Sequence, residues 1–165
     1  MKLVKRIIAV VVLAGLAFWL WTVFFPSPEK VVRKQLVKLM QDVSFSPDEN
    51  NLIKMARAQG VADFFSSNVV VNINVPNHEQ QTLASRAEIT QAVLVSRQQL
   101  TGLTVRLPDI NVTVAPDQTS ATADVTLEAD VSGEHDAVVQ EVKFTFEHVD
   151  GHWLISKVET VRTIS

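Results

Sequence analysis

At 165 residues the chain is long enough for one domain with a buried core plus an appendage; it has no cysteine, which excludes disulfides, thiol nucleophiles and cysteine-bearing metal sites. Its formal charge is −3, yet residues 39–165 carry 8 Lys and Arg against 17 Asp and Glu. So acidic a body lacks the basic surface that engages phosphates, and no nucleic-acid partner is expected.

Residues 1–6 form a short basic tail with Lys2, Lys5 and Arg6, followed by "IIAVVVLAGLAFWLWTVFF" at 7–25, 19 residues without a charge. A helix of that length reaches about 28 Å, close to the hydrocarbon thickness of a bilayer. Trp19 and Trp21 fall toward one end, where indoles favour the headgroup interface. The run is longer than the apolar region of a signal peptide, and bulky "FWLWTVFFP" stands where a small-residue cleavage site would be. An uncleaved signal anchor embedded in the lipid bilayer is therefore expected. The basic tail favours a cytoplasmic N-terminus, although four bases beyond the span pull the other way. The expected location is a bacterial inner membrane, crossed once, with the C-terminal domain in the periplasm.

Residues 26–28 (Pro-Ser-Pro) make a linker, and 29–165 the domain. "PEKVVRKQLVKLMQDV" reads as an amphipathic helix with Val32, Leu36, Leu39, Met40 and Val43 on one arc. Lys30, Arg33, Lys34 and Lys38 share the opposite arc, as candidates for contact with anionic headgroups or as a solvated helix face. In "SPDENNLIKMARAQG", Ser46, Pro47 and Glu49 suggest a capping box, with Gly60 as C-cap. "VADFFSS" suggests a further turn of helix. "NVVVNINV" alternates with Val69, Val71, Ile73 and Val75 on one face, as a strand does. "SRAEITQAVLVSRQQL" is a helix capped by Ser85 and Glu88, aligning Ile89, Ala92, Val93, Ser96 and Leu100. Four long strand signals follow, and in the first Pro108-Asp109 shifts the apolar phase as a β-bulge does.

Three helices, a strand, a helix and a four-stranded meander make an α+β domain: a bent antiparallel sheet wrapped around N-terminal helices, preceded by one transmembrane helix. This order across residues 29–163, the long bulged strands and the final hairpin "FEHVDGHWLISKVE" resemble the nuclear transport factor 2-like superfamily, whose cone-shaped, cystatin-like fold also occurs in polyketide cyclase-like and ketosteroid isomerase-like proteins. Enzymes of that superfamily commonly place Asp, His, Tyr or Arg deep in the cone. Tyrosine is absent here, which removes a phenolic oxyanion donor of the ketosteroid isomerase kind.

The hairpin is the stretch that comes nearest to a site. Asp150-Gly151 between alternating runs predicts a two-residue type I′ turn, pairing 149 with 152, 148 with 153, and so outward. That register puts Phe144, Phe146, His148, Trp153, Ile155, Lys157 and Glu159 on one inward face, as candidate ligand-pocket residues. His148 and His152 fall on opposite faces, so they cannot share a metal ion, and Asp150 serves the turn. No G-x-S-x-G elbow or phosphate-binding glycine loop is present, and no catalytic set, metal site or cofactor is expected. The leading expectation is a non-enzymatic, membrane-anchored scaffold or interaction module with an envelope protein partner, and with a sheet face open to homodimerisation. The alternative is a cone that binds or transforms a small hydrophobic molecule in an isomerase- or cyclase-like manner.

Overall fold

The computed structural model describes residues 11–16, 19, 27–74, 81–134 and 137–161. The tail of 1–6 and most of the apolar stretch of 7–25 lie outside them, as do Val75, His78 and His135. Residues 11–16 are helical, and no helix among the described residues is long and apolar enough to cross a membrane.

Helix α1 (Pro28–Val43) opens with proline in its first turn, where the missing N–H costs nothing, and buries Val32, Leu36, Leu39 and Met40. Ser44 ends it, both its N–H and its hydroxyl donating to the Met40 carbonyl. Helix α2 (Asn51–Val61) starts later than its sequence suggests. Asn50 is the cap, its side-chain oxygen accepting the Leu52 N–H at 2.9 Å, because Glu49 is drawn away to Arg57 and Arg97. Gly60 does not end this helix, which runs on into a 3₁₀ turn at Ala62–Phe64. Helix α3 (Arg86–Gln99) has the expected cap: Ser85 Oγ accepts the Glu88 N–H, and the Glu88 carboxylate reaches back to Ala84 N–H at 2.7 Å.

The strands are β1 (Phe65–Ile73), β2 (Gln81–Leu83), β3 (Leu103–Val114), β4 (Ser120–Val131), β5 (Val138–Val149) and β6 (His152–Thr160), in the sheet order β2-β1-β6-β5-β4-β3. The meander from β3 to β6 is antiparallel as expected. The sheet is not antiparallel throughout, because β1 lies parallel to β6, joining the helical half of the chain to the last strand. Strand β2, three residues long and without an alternating pattern, has no sequence signal. The bulge at Leu107-Pro108 is present, between the pairs Arg106–Glu128 and Asp109–Thr126.

One sheet face and the helices enclose a single core. Alanines make room for rings within it: Ala121 lies opposite Phe146 and Ala123 opposite Phe144. The outer edge of β3 is covered at several points, so it offers little template for another strand. Phe45 exchanges two backbone hydrogen bonds with Leu103, Ser44 Oγ accepts the Val105 N–H, Arg33 donates to the Ile110 carbonyl at 2.6 Å, and Pro108 has no N–H.

Candidate functional site

The β5–β6 hairpin positions most of the candidate residues. Asp150 and Gly151 both have positive φ, 50° and 80°, the backbone of a type I′ turn. The register out to Phe146–Ile155 is the expected one, with His148 opposite Trp153 and Val149 opposite His152. It then breaks. Thr145 pairs with Lys157, leaving Ser156 as an extra residue in β6, and beyond it Phe144 faces Val158 and Lys143 faces Glu159.

That bulge divides the predicted pocket. Phe144, Phe146, Trp153 and Ile155 are buried on the inner face, joined there by Val158. Lys157 and Glu159 are on the outer face, contrary to expectation, bonded to each other at 2.8 Å with side chains 44% and 39% exposed. The physical reason is the strand period of two: one extra residue inverts every later side chain, and a buried valine replaces a buried charge pair that would cost several kcal/mol. The signal was in the sequence, since Ile155 and Val158 are three residues apart, a phase slip like the one at Pro108.

His148 is exposed and stacks on the buried Trp153 ring, centroids 4.7 Å apart and planes 18° from parallel. His152 is exposed on the other face, and no group of acidic or histidine residues that could hold a metal ion occurs among the described residues.

The interior of the cone is not one continuous pocket over these residues. Trp153, Ile155 and Phe146 belong to the packed core with Val32 and Leu36 of α1. The open space is an apolar cavity of ≈ 250 Å³ bounded by α1, α3 and the sheet, which Phe144 and Val158 line but Trp153 does not. Ala92, Val93 and Ser96 of α3 face it as their helical alignment implied, and among the described residues Arg97 is the one charged side chain on its wall.

Arg97 is the residue that pattern reading missed. Its side chain is 3% exposed, and its guanidinium bonds Glu49 at 3.2 Å, donates to the Asp42 carbonyl and lies 5.1 Å from the centroid of the Phe45 ring. Burial lowers its pKa from the ordinary arginine value, against the pull of Glu49. It ties the end of α1 to the segment that leads into α2, while its Nε is buried and has no hydrogen-bond partner among the described residues. A sequence signal is hard to find, because Arg97 differs from a surface arginine only by sitting one position beyond the inward-facing Ser96.

A second hollow, a surface groove of ≈ 710 Å³, separates α1 from the hairpin tip, with Lys34, Lys38, Phe64, Val149, Asp150 and Leu154 among its walls. Lys30, Arg33, Lys34 and Lys38 are all exposed on the outer arc of α1. Arg33 is engaged with the Ile110 carbonyl, and Lys38 lies 5.8 Å from the Phe64 ring centroid.

No protein-family model matches the chain, and no curated protein matches its sequence. Solved structures do match its fold. An NTF2-like protein of unknown function from Pseudomonas putida aligns over 86% of this chain and 90% of its own, at 12% identity and a TM-score of 0.63. A protein with a cystatin-like fold from Nostoc punctiforme covers 82% of this chain and 91% of its own, at 9% identity and a TM-score of 0.60. The yeast UBP3-associated protein BRE5 aligns over 81% of this chain and 95% of its own, at 13% identity and a TM-score of 0.58. At these identities the likeness establishes the fold, the NTF2-like α+β cone, and nothing about activity.

Proposed function

We propose that the chain is a single-pass membrane protein whose cone domain stands outside the cytoplasm and acts as a non-catalytic interaction module for another envelope protein. The observation that carries this reading is the chemistry of the cone interior. Among the described residues its cavity is lined by aliphatic and aromatic side chains, with Ser96 and Arg97 as the only polar ones, and the terminal nitrogens of Arg97 are engaged with Glu49 and Asp42. General acid–base chemistry needs a titratable group within hydrogen-bond reach of a substrate, and this wall supplies none.

Two further features support it. Residues 11–16 are helical, and Val11, Val12, Leu13 and Leu16 are each at least half exposed, as suits an apolar helix whose packing partner is lipid. On the domain, Leu52, Ile53 and Met55 of α2 are 76%, 49% and 55% exposed side by side, an apolar patch of the kind that marks protein contacts. The outer sheet face carries ion pairs instead, Arg106 with Glu128 and Asp130, and Lys143 with Asp124. That makes α2 the better seat for a partner than the sheet. Association through this fold has a parallel in the yeast neighbour, named as a UBP3-associated protein.

A photo-crosslinking residue at Leu52, in the full chain in its native membrane, tests the reading. The expected product is one adduct of defined mass with a different membrane or envelope polypeptide, lost on Met55→Asp. An adduct of twice the chain mass makes the partner a second copy, and no adduct from Leu52 or Met55 refutes the α2 seat.

The alternative, a cone that binds a small hydrophobic molecule, is favoured by the cavity itself. At ≈ 250 Å³ it lies just under the usual range of about 300–1,000 Å³ for ligand pockets. It accommodates only a small apolar molecule, with no group on its wall to orient a reaction.

A further inference from the structure

The positive charge of the domain is distributed in a way that composition alone does not reveal. Beyond α1, Arg57, Arg97, Arg106, Lys143 and Lys157 each have a carboxylate within 4.0 Å. Of the two other described cations there, Arg86 donates to the Phe65 carbonyl and Lys54 lies over the Phe45 ring. On α1, Lys30, Arg33, Lys34 and Lys38 are exposed and none forms an ion pair among the described residues, although Arg33 donates to the Ile110 carbonyl and Lys38 lies over the Phe64 ring. At 100° per residue the four fall on one side of the helix, around Val37, which is itself 41% exposed. The opposite side is packed into the core through Val32, Leu36, Leu39 and Met40.

We propose that this outer face of α1 docks flat on the anionic phospholipid surface at which the domain emerges, so that the cone rests on the membrane on its α1 side. The inference rests on reading residues 7–25 as the anchor, and the length of chain between anchor and helix supports it. Residues 26–28 span at most about 10 Å, so α1 begins within a Debye length of the headgroups wherever it points. A juxtamembrane base contributes about 1 kcal/mol near an anionic surface, whereas an acidic body is repelled by it. The unpaired cations therefore determine which side of the domain turns toward the lipid. Val37 at the centre of the stripe adds an apolar contact at the level of the headgroups.

The absence of cysteine lets one introduced thiol report on one position. The full chain carrying Val37→Cys with a fluorescent label is reconstituted in vesicles of phosphatidylcholine alone and of phosphatidylcholine with phosphatidylglycerol. Thr126→Cys, on the outer sheet face, serves as the control. Docking predicts that the Val37 label is shielded from an aqueous quencher only in the phosphatidylglycerol vesicles, and that the Thr126 label is accessible in both. Replacing Lys30 and Lys34 by Glu restores quenching, each removed base lowering the docked-to-free ratio roughly fivefold. Equal quenching of the Val37 label in the two vesicle types overturns the proposal. Failure of the anchor reading is separately visible, since the chain would then not float with vesicles of phosphatidylcholine alone.

Discussion

Phe144 faces Val158 across the last hairpin, not Lys157. That one pairing decides whether the cone carries a charged pair on its inner wall or a continuous apolar surface, and it follows from a single extra residue, Ser156. It also yields the sharpest stability contrast in the molecule. Val158→Ala is expected to cost about 2 kcal/mol and Lys157→Ala less than about 0.5 kcal/mol, read from urea denaturation. An uninterrupted register would give the reverse order.

Deleting Ser156 removes the bulge yet leaves Lys157 opposite Thr145 and Val158 opposite Phe144, because the residue removed is the extra one. The expected loss is about 1 kcal/mol or less, read from urea denaturation, with Lys157 and Glu159 still on the outer face. A loss on the order of 3–5 kcal/mol, the cost of turning unpaired charges inward, would contradict this register.

The Lys157–Glu159 pair itself is short but on the surface. A double-mutant cycle with Lys157→Met and Glu159→Gln is expected to return a coupling below about 0.5 kcal/mol, falling further with salt.

Arg97 is the contrasting case. Arg97→Leu leaves Glu49, whose side chain is 10% exposed, with Arg57 as its one remaining partner among the described residues and frees the Asp42 carbonyl, so a loss of about 3 kcal/mol is expected. Arg97→Lys recovers only part of it, since one ammonium cannot reproduce the forked contact to Glu49 and Asp42.

In the β3–β4 turn the Thr119 N–H donates to Asp117 Oδ1 at 3.1 Å, and that backbone hydrogen bond holds the Asp117 carboxyl below its ordinary value. A depressed carboxyl stabilises the fold above its unfolded-state pKa, and the contribution is lost as pH falls through the lower, folded-state value. A carbon-detected NMR titration should place Asp117 below the ordinary aspartate range. Asp117→Asn should abolish the matching acid-induced loss of Thr119 amide protection.

Much of the fold is legible in the sequence because local chemistry decides it. The Ser85–Glu88 capping box, the Asp150-Gly151 turn and the Pro108 bulge each have a short-range cause and occur where the pattern puts them. What pattern reading misses depends on distant partners. Glu49 gives up helix capping to hold two arginines, β2 exists only as an addition to β1, and β1 joins β6 in parallel through long-range pairing. The candidate site was half legible for the same reason. Turn chemistry fixes the register near Asp150, but the bulge at Ser156 answers to the burial of Val158 against the core.

The most direct test of a non-catalytic cone is to fill it. Ala92→Phe places a ring in the ≈ 250 Å³ cavity, whose walls do not include Leu52 or Met55. The measurement is the yield of the Leu52 photo-adduct in the native membrane, with folding checked by thermal melting. Undiminished adduct in the folded, cavity-filled protein is the predicted result. Loss of the adduct with the fold intact would contradict the account and make the cavity the working site.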